Sequence, residues 1–261
     1  MKGLICLFVW MVLWILPAAG EEISVTLTPA EGNTGFSMEV ISVQKPKKEF
    51  RVYIYHTHTY EAYAMDDGNR YEETETWRTA DENYNMIRVG AELKKQLEAL
   101  GVTVTHDVTA YEMPRLSTAY ARSLEGLKKA VQDGYDLYID VHRDAYSQGN
   151  GSNTVLAKGM PAARVLFLIG KGDSFEGAEK PDYQKNRQAA QWISDEMNGE
   201  ISGLSRGVAM KSGRYNQHAA APCILMEVGN NRNILSEALA AMPYAARAIC
   251  SYFDNMQLQE P

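Results

Sequence analysis

The chemistry open to this chain rests on few residues. It has five histidines, at positions 56, 58, 106, 142 and 218. Arg51-Val-Tyr-Ile-Tyr-His-Thr-His-Thr-Tyr-Glu-Ala-Tyr63 is a strand-forming run that ends in His56, His58 and Glu61. Leu137-Tyr-Ile-Asp-Val-His142 is a second apolar run ending in a histidine, with Arg143 and Asp144 just beyond. Glu227 lies inside the apolar run Cys223-Ile-Leu-Met-Glu-Val228. An ionised carboxylate there is costly unless a cation, a proton or a strand end relieves it.

These residue types suit a catalytic zinc site, which takes three protein ligands, commonly two histidines and a carboxylate, and leaves a position for water. His58 and Glu61 form His-x-x-Glu, which turns both side chains one way if the chain coils helically past the strand. His56 alternates with His58, so in strand geometry the two point to opposite faces and only one can serve a given metal. Ordinary roles stand beside these. His58 or His142 alone could be a hydrogen-bonded structural histidine, Glu227 could pair with Arg143 or Arg214, and His106 and His218 suit surface or loop positions. Arg143-Asp144 could orient a neighbouring ligand, and Arg214-Tyr-Asn-Gln217 is either a substrate-contacting loop or a turn. Serine or cysteine hydrolase chemistry has little support: there is no Gly-x-Ser-x-Gly elbow, and Cys223 lies in an apolar run without a charge to activate it.

Such residues need a scaffold that gathers strand ends. From Phe50 onward strands and helices alternate, which predicts a single α/β domain with a mixed, mostly parallel sheet flanked by helices. Sites in such sheets form where strands stop. Strands are expected at 51–56, 102–105, 137–142, 164–169, 208–210 and 223–228, with the wholly apolar 164–169 at the centre. One helix is expected to start at an Asp81 cap and run through Val89, Leu93, Leu97 and Leu100. Others are expected from Ser117 to a stop at Gly134, from Tyr183 to Met197 and from Leu235 to Met256.

Residues 1–20 read as a signal peptide or N-terminal anchor: Lys2, an apolar middle, then Pro17-Ala-Ala-Gly20. Residues 21–48 read as a linker with room for one hairpin, and 49–257 as the catalytic domain. The domain is therefore expected to be exported, touching the membrane only through its N-terminal segment. A formal net charge of -7 argues against nucleic acid as a partner. Cys223 and Cys250 fall on apolar faces and are expected as buried thiols rather than a bridge.

Taken together, Tyr55-His-Thr-His-Thr-Tyr-Glu61, Asp140-Val-His-Arg-Asp-Ala145, Arg214-Tyr-Asn-Gln217 and Leu225-Met-Glu-Val-Gly229 resemble the stage II sporulation protein P family. Four motifs in order, across roughly residues 50 to 255, are far more specific than one. The resemblance implies a zinc amidase-like fold, exported to the cell wall, that cuts the amide between muramic acid and L-alanine in peptidoglycan, with peptide cross-links as further targets. It implies Zn2+ held by His58 and His142, Glu227 as general acid/base, and a lytic transglycosylase partner, stage II sporulation protein D. Glu61 follows the first histidine as in that family. General zinc amidases take their ligand glutamate from the start of the first long helix, where this chain has Glu82, Asn83 and Asn85; the third ligand is thus Glu61 or Glu82, with Glu61 preferred. Arg214 or Asn216 is the expected donor to the oxyanion, and Arg143 a further substrate contact. Two other readings stay open: a zinc carboxypeptidase, which uses a similar ligand pattern, and an inactive cell-wall binding or regulatory protein of the same fold.

Overall fold

The computed structural model describes residues 22–29, 36–44, 48–148, 153–174, 176 and 179–259, the first two runs by backbone alone. The apolar leader expected at 1–20 lies outside the described residues. No described helix is long and apolar enough to cross a membrane. The chain divides into two units, Met1–Lys48 and Glu49–Pro261. In the first, β1 (Glu22–Pro29) pairs antiparallel with β2 (Phe36–Gln44), with a register shift at Ile41 of β2, opposite Ser24 and Val25. The alternation of Ile23, Val25 and Leu27 is the pattern a strand requires.

The second unit runs β3 (Arg51–Tyr55), α1 (Met86–Ala99), β4 (Thr103–His106), α2 (Ala119–Val131), β5 (Leu137–Asp144), β6 (Thr154–Ala157) and β7 (Met160–Ala163). It continues with β8 (Val165–Gly170), α3 (Tyr183–Glu200), β9 (Ser205–Lys211), β10 (Cys223–Asn230) and α4 (Leu235–Gln259). Six strands form one sheet in the order β4-β3-β5-β10-β8-β9. All neighbours run parallel except β10 and β8. The sheet is thus mixed and mostly parallel, as the alternating sequence predicts. The apolar β8 lies one strand in from the β9 edge rather than at the centre, which β5 and β10 hold. Neighbours on both sides and burial on both faces suffice to explain its composition.

Side-chain alternation decides which residues meet which helices. Val52 and Ile54 of β3, Leu137, Ile139 and Val141 of β5, and Ile224, Met226 and Val228 of β10 belong to one core with residues of α1, α3 and α4. Tyr53, Tyr55, Tyr138 and Cys223 point the other way and pack with Leu127 and Ala130 of α2. By the same period of two, Asp140, His142 and Glu227 lie on the α2 face. Phe50, at the start of this unit, stacks on Phe253 of α4 with ring centroids 4.4 Å apart. Such a pair contributes about 0.5–1.5 kcal/mol beyond its buried area.

Two local readings need correction. Helix α1 starts at Met86, because the buried Asn85 accepts a hydrogen bond from the Ile87 N–H (2.9 Å) and caps it. Asp81 instead accepts from the Asn83 N–H in a preceding turn (3.0 Å). The β6–β7 hairpin is unforeseen. Its four-residue arms, one containing Pro161, are too short to show a period, and its signal is Lys158-Gly159, whose φ values of 50° and 86° suit a two-residue primed turn. No disulfide joins Cys223, which is buried, and Cys250, which is only half-buried.

Candidate metal centre

Strand β3 stops at Tyr55, and its last side-chain alternation sends His56 toward α1. There His56 is fully buried. Its Nδ1 lies 2.9 Å from the Val141 carbonyl and its Nε2 lies 2.8 Å from His106 Nε2. Both rings sit under Gly90 of α1, where a Cβ would stand 2.6 Å from either Nε2. Burial lowers the His56 imidazole to about 4 and that of His106 to about 3, so both are neutral near pH 7. His106 is therefore half of an interior pair rather than a surface group.

The next residue redirects the chain. Thr57 donates its N–H to Asp140 Oδ1 (2.8 Å) and its hydroxyl to Asp140 Oδ2 (2.6 Å), fastening the end of β3 to β5. The turn that follows, with the Glu61 N–H donating to the His58 carbonyl (3.4 Å), carries His58 and Glu61 to the α2 face. The His58 ring stands perpendicular to those of His142 and Tyr120, at 5.2 and 5.5 Å between centroids. Glu61 Oε2 lies 3.5 Å from His142 Nδ1, while His142 Nε2 lies 2.9 Å from Asp140 Oδ1. That last contact is off the angle of a hydrogen bond, and the buried nitrogen has no hydrogen-bond partner.

The electrostatics follow from this crowding. Burial disfavours charge on His142, but Asp140 and Glu61 outweigh it and hold its imidazole well above the usual range. Burial would raise the Glu61 carboxyl, yet His142 and Arg143 pull it down to about 2. His58 is lowered to about 4 by burial and by His142, leaving a neutral ring with a lone pair. Glu227, opposite His142 in the β5–β10 register, is pushed up to about 8 by burial, with Glu61, Asp144 and Asp140 adding to the effect against the pull of His142. Its Oε2 is shut off from solvent without a hydrogen-bond partner. Among the described residues no ion pair joins it to Arg143, which lies against Glu61.

Arg143 serves Glu61 instead. Its backbone N–H donates to Glu61 Oε2 (3.2 Å), its NH1 lies 3.8 Å from Glu61 Oε1, and its Nε and NH2 donate to the Ala62 and Trp77 carbonyls. Arg214 reaches the Glu179 carbonyl (3.4 Å), on the stretch leading into α3. Asn216 is buried and donates through its amide to the Tyr120 carbonyl and the Ser123 hydroxyl (both 2.9 Å), tying its loop to α2. Of the two expected oxyanion donors, Arg214 and Asn216, the second already donates both amide hydrogens within the fold. Between them Tyr215 stands 6.1 Å from Tyr120, centroid to centroid, and burial followed by Glu227 raises its phenol. His218 has Arg214, Glu179 and Lys128 as electrostatic neighbours and takes no part in the His58–His142 cluster. Glu82 is exposed.

Two residues of the site had no assigned role in the sequence. Asp140 was legible in principle, since residues two apart on a strand share a face. Glu112 was not. It comes from the loop before α2, is buried, pairs closely with Arg78, accepts from the Tyr60 N–H (3.2 Å), and puts Oε1 3.7 Å from His58 Nδ1.

A metal can be tested against these atoms. Among the described residues no three His, Cys, Asp or Glu side chains close on one point as they stand. The donors nonetheless fit zinc. Ligands about 2.0–2.1 Å from a tetrahedral ion lie about 3.4 Å apart, close to the 3.5 Å between His142 Nδ1 and Glu61 Oε2. His58 supplies a neutral ring beside them, with a buried Nδ1 that has no hydrogen-bond partner. Asp140 lies 2.9 Å from the far nitrogen of His142, Nε2, where a carboxylate commonly backs a zinc-bound imidazole.

A mostly parallel six-strand sheet flanked by helices gives the chain an amidase-like α/β fold. The fold is similar to the CwlD amidase of Clostridioides difficile, solved in complex with the GerS lipoprotein, with a TM-score of 0.53, 14% identity and coverage of 81% of this chain and 100% of that one. It is also similar to an N-acetylmuramoyl-L-alanine amidase of Clostridium difficile 630 (TM-score 0.49, 14% identity, 82% and 99% covered). A third likeness is the N-acetylmuramyl-L-alanine amidase Ami1 of Mycobacterium smegmatis (0.47, 15%, 79% and 97%). No curated protein matches the chain. The chain belongs to the stage II sporulation protein P (SpoIIP) family, whose match spans residues 20–250.

Proposed function

We propose that this chain is an exported, zinc-dependent peptidoglycan hydrolase that cleaves the amide between muramic acid and L-alanine, in sporulation or cell-wall remodelling. Family membership and the amidase-like fold support the substrate. The observation that carries the reaction is Glu227, a carboxyl with a shielded, partnerless oxygen in register with His142. A zinc ion held by His58, His142 and Glu61 would polarise the scissile carbonyl and acidify water.

The chain's own residues perform the remaining work. Asp140 and Arg143 fix His142 and Glu61 in place. Burial pushes Glu227 up to about 8 in the metal-free chain, and a nearby cation would pull it back down, so that its ionised form can accept a proton near neutral pH and return it. It takes the proton of the attacking water and delivers it to the leaving nitrogen. Tyr120 stands against His58 and Tyr215 against Tyr120 on the α2 side.

Mass spectrometry of muropeptides after digestion, with and without chelator, tests the reading. Stem peptides released with a free L-alanine amine, lost on chelation and in Glu227→Gln, are the expected result. Release of single C-terminal residues would make the chain a carboxypeptidase, and a Glu227→Gln protein that still solubilises peptidoglycan would remove Glu227 from the mechanism.

A further inference from the structure

Beyond the ends of β5 and β10 lies a cavity of about 320 Å³ lined by Trp77, Arg143, Ala145, Tyr146, Asn231 and Arg232. It adjoins the metal centre through Arg143, whose guanidinium touches the Glu61 carboxylate on one side and the Trp77 carbonyl on the other. Two backbone-linked contacts hold its walls: the Tyr146 N–H donates to Asn231 Oδ1 (2.7 Å), and the Asn231 N–H donates to the Asp144 carbonyl (3.2 Å). Trp77, held at φ 57°, is 39% exposed.

Arg232 is the unusual member. Its guanidinium carbon lies 3.8 Å from the Tyr146 ring centroid, and it forms no ion pair among the described residues. A stacked guanidinium keeps its N–H groups in its own plane, free for a carboxylate approaching edge-on. The Arg143 charge, by contrast, is spent on Glu61 and on carbonyl oxygens. An aromatic-walled cleft with one uncommitted cation calls for an anionic, partly apolar ligand.

We propose that this cleft receives the stem peptide and that Arg232 binds the free α-carboxylate of its second residue, so that the chain discriminates carboxylate from carboxamide there. The inference rests on the amidase reading, which places the first residue's amide at His142 and Glu227. An extended peptide rises about 3.3 Å per residue, which puts the second residue's carboxylate about 7 Å from the cut. The register provides a similar step: Asp144 pairs with Asn230 two residues along β5 from the His142–Glu227 pair, and the residues that follow them, Ala145 and Asn231, line the cleft.

The test uses the full chain carrying Glu227→Gln, so that ligands are not consumed, and N-acetylmuramoyl peptides with either a carboxylate or a carboxamide on the second residue. Calorimetry should show the carboxylate form binding about tenfold tighter. Adding Arg232→Gln should erase the preference, and Arg232→Lys should restore part of it. Equal Kd values for the two peptides, or a preference that survives Arg232→Gln, overturn the proposal. Hydrolysis by the wild-type chain is scored separately. An Arg232-dependent preference without any hydrolysis would sink the amidase reading and leave the subsite standing; hydrolysis without the preference would do the reverse.

Discussion

Replacing Glu227 with Gln should make the metal-free chain more stable at alkaline pH while it removes activity. The carboxyl titrates near 4.5 when unfolded and at about 8 in the folded chain, chiefly because it is buried. A folded pKa raised above the unfolded one means that the folded state keeps its proton longer. Stability is therefore whole below about pH 4.5 and falls as pH rises toward 8, because only the unfolded chain ionises freely in that window. At 1.36 kcal/mol per unit the full cost is about 5 kcal/mol, and partial solvent contact of the side chain reduces it to about 3–5 kcal/mol. Gln has nearly the same shape and does not titrate. Urea denaturation of chelator-treated wild-type and Glu227→Gln proteins should give matching stabilities near pH 4 and a gap of that size in favour of the variant near pH 9, with unchanged m-values. Parallel profiles across this range would refute the argument that enclosure of Glu227 raises its pKa. The residue would then be an ordinary strand-end carboxylate rather than a destabilising acid retained for chemistry.

Asp140→Asn should weaken zinc binding about 10–100-fold, the usual cost of losing a carboxylate behind a metal-bound imidazole; competition against a chromophoric chelator reads it, and an unchanged affinity would show that His142 is oriented by other contacts. Gly90→Ala sets two effects against each other. Alanine favours a helix interior by about 1 kcal/mol, but its Cβ would stand 2.6 Å from the Nε2 atoms of both His56 and His106. Overpacking of that kind costs about 1–3 kcal/mol, so a net loss of about 0–2 kcal/mol in thermal denaturation is expected. A gain would mean that the histidine pair moves aside without cost.

Much of the site was legible because a strand has a period of two. Once Ile139 and Val141 are assigned to the core, Asp140 and His142 must share the opposite face, and Met226 and Val228 place Glu227 there likewise. The same parity set His56 against His58. What it could not supply was the turn after Tyr55. His58 reaches the α2 face through the Thr57–Asp140 bonds and the backbone turn that follows, contacts between residues 83 positions apart in sequence. Glu112 and the cleft around Arg232 were hidden for the same reason: both depend on loops brought together by the sheet. Residue type showed that Arg143 and Asn216 offer donors, but not that Glu61 and the Tyr120 carbonyl already engage them.

Glu61 and Glu82 are the two candidates for a third ligand in the proposed zinc site, and they sit in different surroundings. Glu61 is buried 3.5 Å from His142 Nδ1, and the pull of His142 and Arg143 keeps it ionised down to about pH 2. Glu82 is exposed in the turn before α1. Asn85, closest to the helix start, is committed on both sides of its amide: it caps Ile87 and donates to the Thr79 carbonyl (3.2 Å). Pulling it away to bind a metal would cost the cap, about 1 kcal/mol, and leave buried backbone groups unpaired. Glu61→Gln should therefore lower zinc affinity by more than about 100-fold, beyond the range of changes behind the ligands, while Glu82→Gln leaves it within about twofold. Because the carboxamide introduced by Glu61→Gln can still accept from the Arg143 N–H, the loss should appear in metal content before it appears in stability. The opposite ranking of the two variants would move the third ligand to the start of α1 and make Glu61 the anchor of Arg143 alone.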